Sequence, residues 1–182
     1  VDTVLHLTYA ELHEGLDEIR RSPRDEGRVV LVVRTPATDQ REILSEGELD
    51  VTRGLVGDDW WHPDADLGRQ VTVMNSRAVA LVAGAPDRWA LAGDQLYVDF
   101  DLSVDNLPSG ARFGLGSAVL EATGVPHRGC KKFMARFGLD ALRLVNSDEG
   151  YALNLRGINA RVVQPGVVRP GDLIRKPPSI VE

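Results

Sequence analysis

Short apolar runs separated by Gly- and Pro-rich breaks make up most of this chain. Leu12, Leu16 and Ile19 recur at helical spacing behind Thr8-Tyr9-Ala10-Glu11, a capping box in which hydroxyl and carboxylate satisfy free backbone N–H groups reciprocally. The spacing predicts one amphipathic helix over 9–21, stopped at Ser22-Pro23. Arg28-Val29-Val30-Leu31-Val32-Val33-Arg34 predicts an apolar strand with charged ends, and Arg41 to Thr52 a longer strand or a hairpin bulged at Gly47. Beyond the glycine turn Gly54-Leu55-Val56-Gly57-Asp58 and the polar loop opened by Trp60-Trp61-His62-Pro63, the pattern gives a strand from Gln70 to Met74. A helix follows from Ser76 to Ala83, closed by Gly84, and then a strand from Leu96 to Phe100. Asp105-Asn106-Leu107-Pro108-Ser109-Gly110 is a turn-rich loop. The remaining elements are strands at Ala118–Thr123, Ile158–Val163, Val167-Val168 and Leu173-Ile174, and a short helix from Cys130 to Phe137. Many short strands with such punctuation predict a mainly β barrel or sandwich with helices inserted between strands.

Composition narrows the function classes. A length of 182 residues fits one domain spanning the chain, with its core at about 25–175. Aromatic residues are only 5%, so the core must rest on Val, Leu, Ile and Ala. The net charge of −6, from 21 basic and 27 acidic residues, disfavours a nucleic-acid partner, because phosphate neutralisation needs a basic surface. No run reaches the roughly 20 apolar residues of a membrane span. The start of the chain lacks a basic signal region, and one cysteine cannot form an internal disulfide. The expectation is a cytoplasmic protein with no membrane association.

Charge is unevenly placed. From Ala122 to Leu139 there is no acidic residue, while Arg128, Lys131, Lys132 and Arg136 contribute four positive charges. Such a window suits a small anionic ligand or cofactor, or is simply a solvated helix face. Cys130 lies in this window, where Gly129 ends a loop and a helix begins. Helix-end N–H groups and nearby cations favour thiolate, the form that ligates soft metals or carries sulfur. Cys130, Phe133, Met134 and Phe137 also follow i, i+3, i+4, i+7, so the same thiol could be core filler. The residues alone leave both readings open. The four histidines show no paired metal-ligand spacing, and His62-Pro63-Asp64-Ala65-Asp66 reads as a solvated turn. Gly114-Leu115-Gly116 lacks the third glycine of a dinucleotide fingerprint, and no phosphate-loop or hydrolase-elbow motif occurs.

Pro126-His127-Arg128-Gly129-Cys130-Lys131-Lys132-Phe133, followed by Arg136-Phe137-Gly138, resembles the cysteine segment of MOSC domains, named for the C-terminal domain of molybdenum-cofactor sulfurase. Leu155 to Gly166, continuing to Arg169-Pro170-Gly171-Asp172, resembles that family's C-terminal strand pair, and Gly54-Leu55-Val56-Gly57-Asp58 its early glycine turn. The resemblance spans about 25–175. Where standalone bacterial members carry Phe-Gly-Glu-Asn-Leu, this chain has Ser103-Val104-Asp105-Asn106-Leu107. The resemblance implies a β-barrel, and a cysteine that handles sulfur or ligates molybdenum in the molybdenum cofactor (molybdopterin). By position that residue is Cys130. His127, Arg128, Lys131 and Arg156 are the candidates for holding the cofactor's anionic groups, with Asp105 and Asn106 as loop contributors. The expected partners are a small anionic cofactor and a sulfur donor or reductase acting in trans. Three functions remain open at this point: a molybdoenzyme reducing N-hydroxylated compounds, a non-catalytic sulfur or cofactor carrier, and a β-barrel binding module with a structural cysteine.

Overall fold

The computed structural model describes residues 5–177. The helices are α1 (Tyr9–Glu14), α2 (Leu16–Arg20), α3 (Ser76–Ala83), α4 (Lys131–Phe137), α5 (Leu139–Val145) and α6 (Asp148–Ala152). The strands are β1 (Glu26–Arg34), β2 (Glu42–Ile43), β3 (Gly47–Asp50), β4 (Gly54–Leu55), β5 (Val71–Asn75), β6 (Leu96–Asp99), β7 (Arg112–Leu115), β8 (Ala118–Ala122), β9 (Ile158–Gln164), β10 (Gly166–Val168) and β11 (Leu173–Arg175). A 3-10 segment, Pro86–Ala92, precedes β6.

Seven strands close into a mixed barrel. Their order is β1, β6, β5, β9, β8, β7, β11, and β11 returns to β1 with Gly27 opposite Ile174. Only β5 and β6 pair in parallel, because α3 and the 3-10 segment form the crossover that parallel neighbours need. The short β2 extends β1 at its end, and β10, β3 and β4 form a separate small sheet. Closure removes the barrel's free edges.

The barrel holds two cores rather than one. Val29, Val32, Val73, Phe100, Phe113 and Leu120 fill its interior. On its outer side, Met74, Tyr97 and Val33 meet Leu12, Leu16, Ile19, Val79, Phe133, Phe137 and Leu144 from the helices. That arrangement explains the unbroken apolar run in β1. A register shift against β6 between Val29 and Leu31 places Val32 inside and Val33 under the helices, so both faces are covered. At Gly27 a Cβ would stand 2.0 Å from the Asp99 carbonyl oxygen, so only glycine permits that strand approach.

The expected barrel with inserted helices is present, and α3 with its Gly84 end (φ +70°) runs as its pattern predicts. Two expectations need correction, and three elements were not expected. The helix expected over 9–21 is two helices joined at Gly15, whose N–H turns back to Leu12 O at 3.1 Å in an i−3 bond. Gly15 packs closely on Leu81 of α3, and glycine weakens the helix. Residues 41–52 form neither one strand nor a hairpin: β2 pairs with β1, while β3 pairs with β4 and β10. The turns lie on either side of the segment instead: β2 folds back on β1, β3 on β4 through 51–53, and the distant β10 adds the third strand. Finally, β7, α5 and α6 carry no period long enough to announce them.

Candidate functional site

The chain leaves β8 and reaches α4 through Pro126-His127-Arg128-Gly129-Cys130. The Asn146 side chain clamps this connection from both sides, accepting from Gly129 N at 2.9 Å and donating to Gly129 O at 3.1 Å. A Cβ on Gly129 would meet Leu142 and Val145 at 2.8 Å, so the loop lies flat on α5. Cys130 becomes the N-cap of α4 in extended conformation (φ −124°, ψ 179°). Of the four residues sharing the helical period, Phe133 and Phe137 are buried, in edge-to-face contact at 4.9 Å, while Cys130 and Met134 are exposed. The thiol is therefore at the surface, over a helix anchored by aromatic packing.

Its electrostatic setting is mixed. Partial burial pushes the thiol pKa up, but the Phe133 and Lys132 backbone N–H groups and the charges of Arg156 and Arg136 outweigh that, and the net shift is downward. No side-chain hydrogen bond closes the cap, so the N–H groups act as oriented dipoles. Iodoacetamide alkylation followed by mass spectrometry across pH should give a midpoint below that of an ordinary cysteine. A midpoint at or above the ordinary value would remove the thiolate argument.

Arg156 is held by a residue that no motif announced. Asp94, with no exposed side-chain surface, receives Nη1 of Arg156 on Oδ2 and Nε2 of His127 on Oδ1, the latter at 2.8 Å. Because a carboxylate only accepts, Nε2 of His127 carries the proton. Arg156 also donates Nη2 to Ala92 O at 2.9 Å and lays its guanidinium over Phe133, 5.1 Å from the ring centre. Among the described residues, Nε of Arg156 is the buried side-chain polar atom without a partner. Burial pushes the Asp94 carboxyl up, yet Arg156 and His127 together hold it below its usual value. Asp94 was missed because a lone Gly-Asp-Gln before a strand looks like any turn.

The other candidates divide. Arg128 stacks on Tyr151, 4.6 Å from the ring centre, and donates Nη1 to its hydroxyl at 3.2 Å. With His127 it lines a cleft of about 300 Å³ that also includes Val104, Leu107, Ser109 and Tyr151, but not Cys130. Lys131 is exposed, and among the described residues it has no ion-pair partner. Arg128, Lys131 and Arg156 do not share one cleft: Arg156 is drawn inward by Asp94 while Lys131 stays in solvent. Arg136 reaches back to Leu91 O at 2.8 Å. The loop holding Asp105 and Asn106 does border the cleft, but these two side chains turn elsewhere. Asp105 pairs with Arg24, while Asn106 is buried, donating to Arg24 O and Asp101 O and accepting from Lys176 Nζ. Both are engaged in holding the loop to the barrel. Among the described residues no cluster of three His, Cys, Asp or Glu side chains could enclose a metal ion, so a metal at Cys130 would have to arrive with other ligands of its own.

A profile of the MOSC domain matches residues 62–175, which is more than half of the sequence. This chain belongs to the MOSC domain family. Solved structures that resemble it include the YuaD protein of Bacillus subtilis, at 18% identity and TM-score 0.58, covering 82% of this chain and 94% of that one. YiiM from Escherichia coli gives 20% identity and TM-score 0.56, covering 85% of this chain and 72% of that one. YiiM from Geobacillus stearothermophilus gives 16% and 0.53, covering 83% and 73%. At these identities the likeness establishes the fold alone. A search among curated proteins finds no match. Among the described residues of this MOSC domain, no helix is long and apolar enough to cross a membrane.

Proposed function

We propose that this MOSC domain binds the molybdenum cofactor, with the Cys130 thiolate as the protein's ligand to the metal or as its sulfur-handling group. The observation that carries the reading is the pairing of an exposed, thiolate-favouring cysteine with a buried arginine whose Nε has no acceptor. A buried donor left unpaired costs about 1–3 kcal/mol, and an accepting ligand atom would relieve that cost. The residues fit such a group. Cys130 offers a soft ligand, Arg156 a fixed cation with a spare donor, and His127 a proton-bearing ring held by Asp94. When bound, the cofactor would supply a redox-active metal.

Exposure leaves Cys130 little packing role, which disfavours the module with a structural cysteine. Two finer forms of the reading follow. In one, the domain reduces N-hydroxylated compounds with electrons from a reductase in trans. In the other, it carries sulfur or cofactor to a partner in the cytoplasm. The decisive measurement is elemental analysis, with oxidative pterin fluorescence, on protein purified from a molybdenum-replete host. Molybdenum and pterin should copurify in near-equal amounts, close to stoichiometric with the chain. Protein that folds and carries neither would overturn the reading.

A further inference from the structure

Three arginines converge on one short stretch. Arg41 Nε donates to Ala90 O at 3.3 Å, Arg136 Nη1 to Leu91 O at 2.8 Å, and Arg156 Nη2 to Ala92 O at 2.9 Å, so successive carbonyls at the end of the 3-10 segment each receive a guanidinium. The next residue, Gly93, is in left-handed conformation at φ +89°. Apart from its chain neighbours, two atoms among the described residues lie within 4 Å of where its Cβ would project. They are Arg136 Nη1 and Arg41 Nη2, each at 3.8 Å. The space over Gly93 is therefore open and walled by two cations.

The charges there are poorly balanced. Asp94 is already committed to Arg156 and His127. Asp39 touches Arg136 Nη2 only at 3.4 Å and is itself 69% exposed. Arg41 has no acidic partner among the described residues, although its Nη1 is fixed by Gln40 O at 2.7 Å. Both guanidiniums are thus oriented by backbone carbonyls while Nη2 of Arg41 stays unused. Pre-positioned, partly screened guanidinium pairs are the donors that planar or tetrahedral oxyanions select. Asp39, paired with Arg136, is the acidic group nearest the seat among the described residues' ion pairs, and its exposure leaves it weak as a competitor.

We propose that Arg41 and Arg136, which both reach the open space over Gly93, form a seat for a phosphate monoester. The absence of a side chain on Gly93 lets the anion approach the backbone. Such an ester comes either from the cofactor's own phosphate or from a separate phosphorylated ligand. The same seat serves both, and it does not require that molybdenum be bound.

The test uses the chain purified from a molybdenum-deprived host, titrated with inorganic phosphate by calorimetry at low ionic strength. Saturable binding is expected, weakened about tenfold or more in Arg41→Gln and in Arg136→Gln. It should be partly kept in Arg41→Lys and unchanged in Arg143→Gln, which removes an exposed arginine paired with Asp140. Bound phosphate should also slow Cys130 alkylation in the wild type, and this effect should vanish in Arg136→Gln. Because Arg136 holds Leu91 O and Arg41 holds Ala90 O by the longer 3.3 Å bond, Arg41→Gln with an unchanged melting temperature is the deciding variant. Absence of phosphate binding, or binding equal in Arg41→Gln and wild type, overturns the proposal. A second titration, on molybdenum-loaded chain, assigns the source. Loss of phosphate binding there points to the cofactor's own phosphate, and its persistence to a separate ligand. Failure to load molybdenum leaves the first titration intact, so the two readings fail separately.

Discussion

Asp94→Ala is expected to lower the stability of this domain by about 3–5 kcal/mol, the usual cost of stripping one partner from a buried ion pair. The carboxylate has no exposed side-chain surface, and Arg156, the cation it holds, is itself 8% exposed. Without Asp94, Arg156 would retain Ala92 O and the face of Phe133, neither of which neutralises its charge. In a chain of this length such a loss lowers Tm by roughly 10 °C, which thermal and urea unfolding followed by circular dichroism would detect. Asp94→Asn keeps an acceptor but not the charge, so it should fall between wild type and Asp94→Ala. The pH dependence has a definite sign. The folded carboxyl lies below its usual value of 3.8. Its stabilisation is therefore complete above the unfolded value and is lost as pH falls through the folded one. Asp94→Asn should accordingly show a flatter loss of stability below about pH 4 than wild type. A stability change within about 1 kcal/mol for Asp94→Ala would mean that Arg156 does not depend on this carboxylate. The functional consequence runs through the same contact. With Arg156 still held by Ala92 O and Phe133 but no longer neutralised, its field on the Cys130 thiol strengthens, so alkylation of Asp94→Ala should move to lower pH.

How much of this was legible in the chain differs by element, for physical reasons. Strand and helix positions were readable wherever one period ran for four or more residues, as in Val29–Val33 and Ser76–Ala83. The single helix over 9–21 failed because its apolar spacing is indifferent to the break at Gly15, a residue that weakens a helix. The 41–52 segment failed because its turns fall outside it: β2 folds back on the preceding β1 and β3 on the following β4, while β10 arrives from a distant part of the chain. At the site, Cys130 and its basic window were visible as a local run of charge. Which cations act on the thiol was not. The sequence neighbours Arg128 and Lys131 face Tyr151 and solvent, while Arg156, 26 positions away, and Arg136 supply the field. Asp94 and Arg41 were invisible for the same reason. Each is ordinary in its local sequence and acquires meaning only when the barrel brings β6, the 41–43 segment and α4 together.

Cys130→Ser separates structure from chemistry more cleanly than any other single change. Cys130 occupies the N-cap of α4 with no side-chain hydrogen bond closing it. Serine is among the preferred residues at that position, because its oxygen accepts from the N–H groups of the first turn. The variant should therefore be as stable as wild type, or more stable by about 0.5–1 kcal/mol. Cys130 is the chain's single cysteine, so alkylation should disappear altogether. A serine hydroxyl stays protonated at neutral pH and is a poor soft-metal ligand, so copurified molybdenum should fall to background. Unchanged stability with loss of metal would assign Cys130 to ligand chemistry. The opposite pair of results, destabilisation beyond about 1 kcal/mol with molybdenum retained, would make the cysteine a packing residue and end the functional reading of it. Arg156→Gln supplies the complementary measurement. It leaves the thiol in place while removing its largest cationic neighbour, so it should shift the alkylation midpoint upward without abolishing the reaction. If both variants kept molybdenum, the cofactor would have to be held elsewhere on the barrel, away from Cys130.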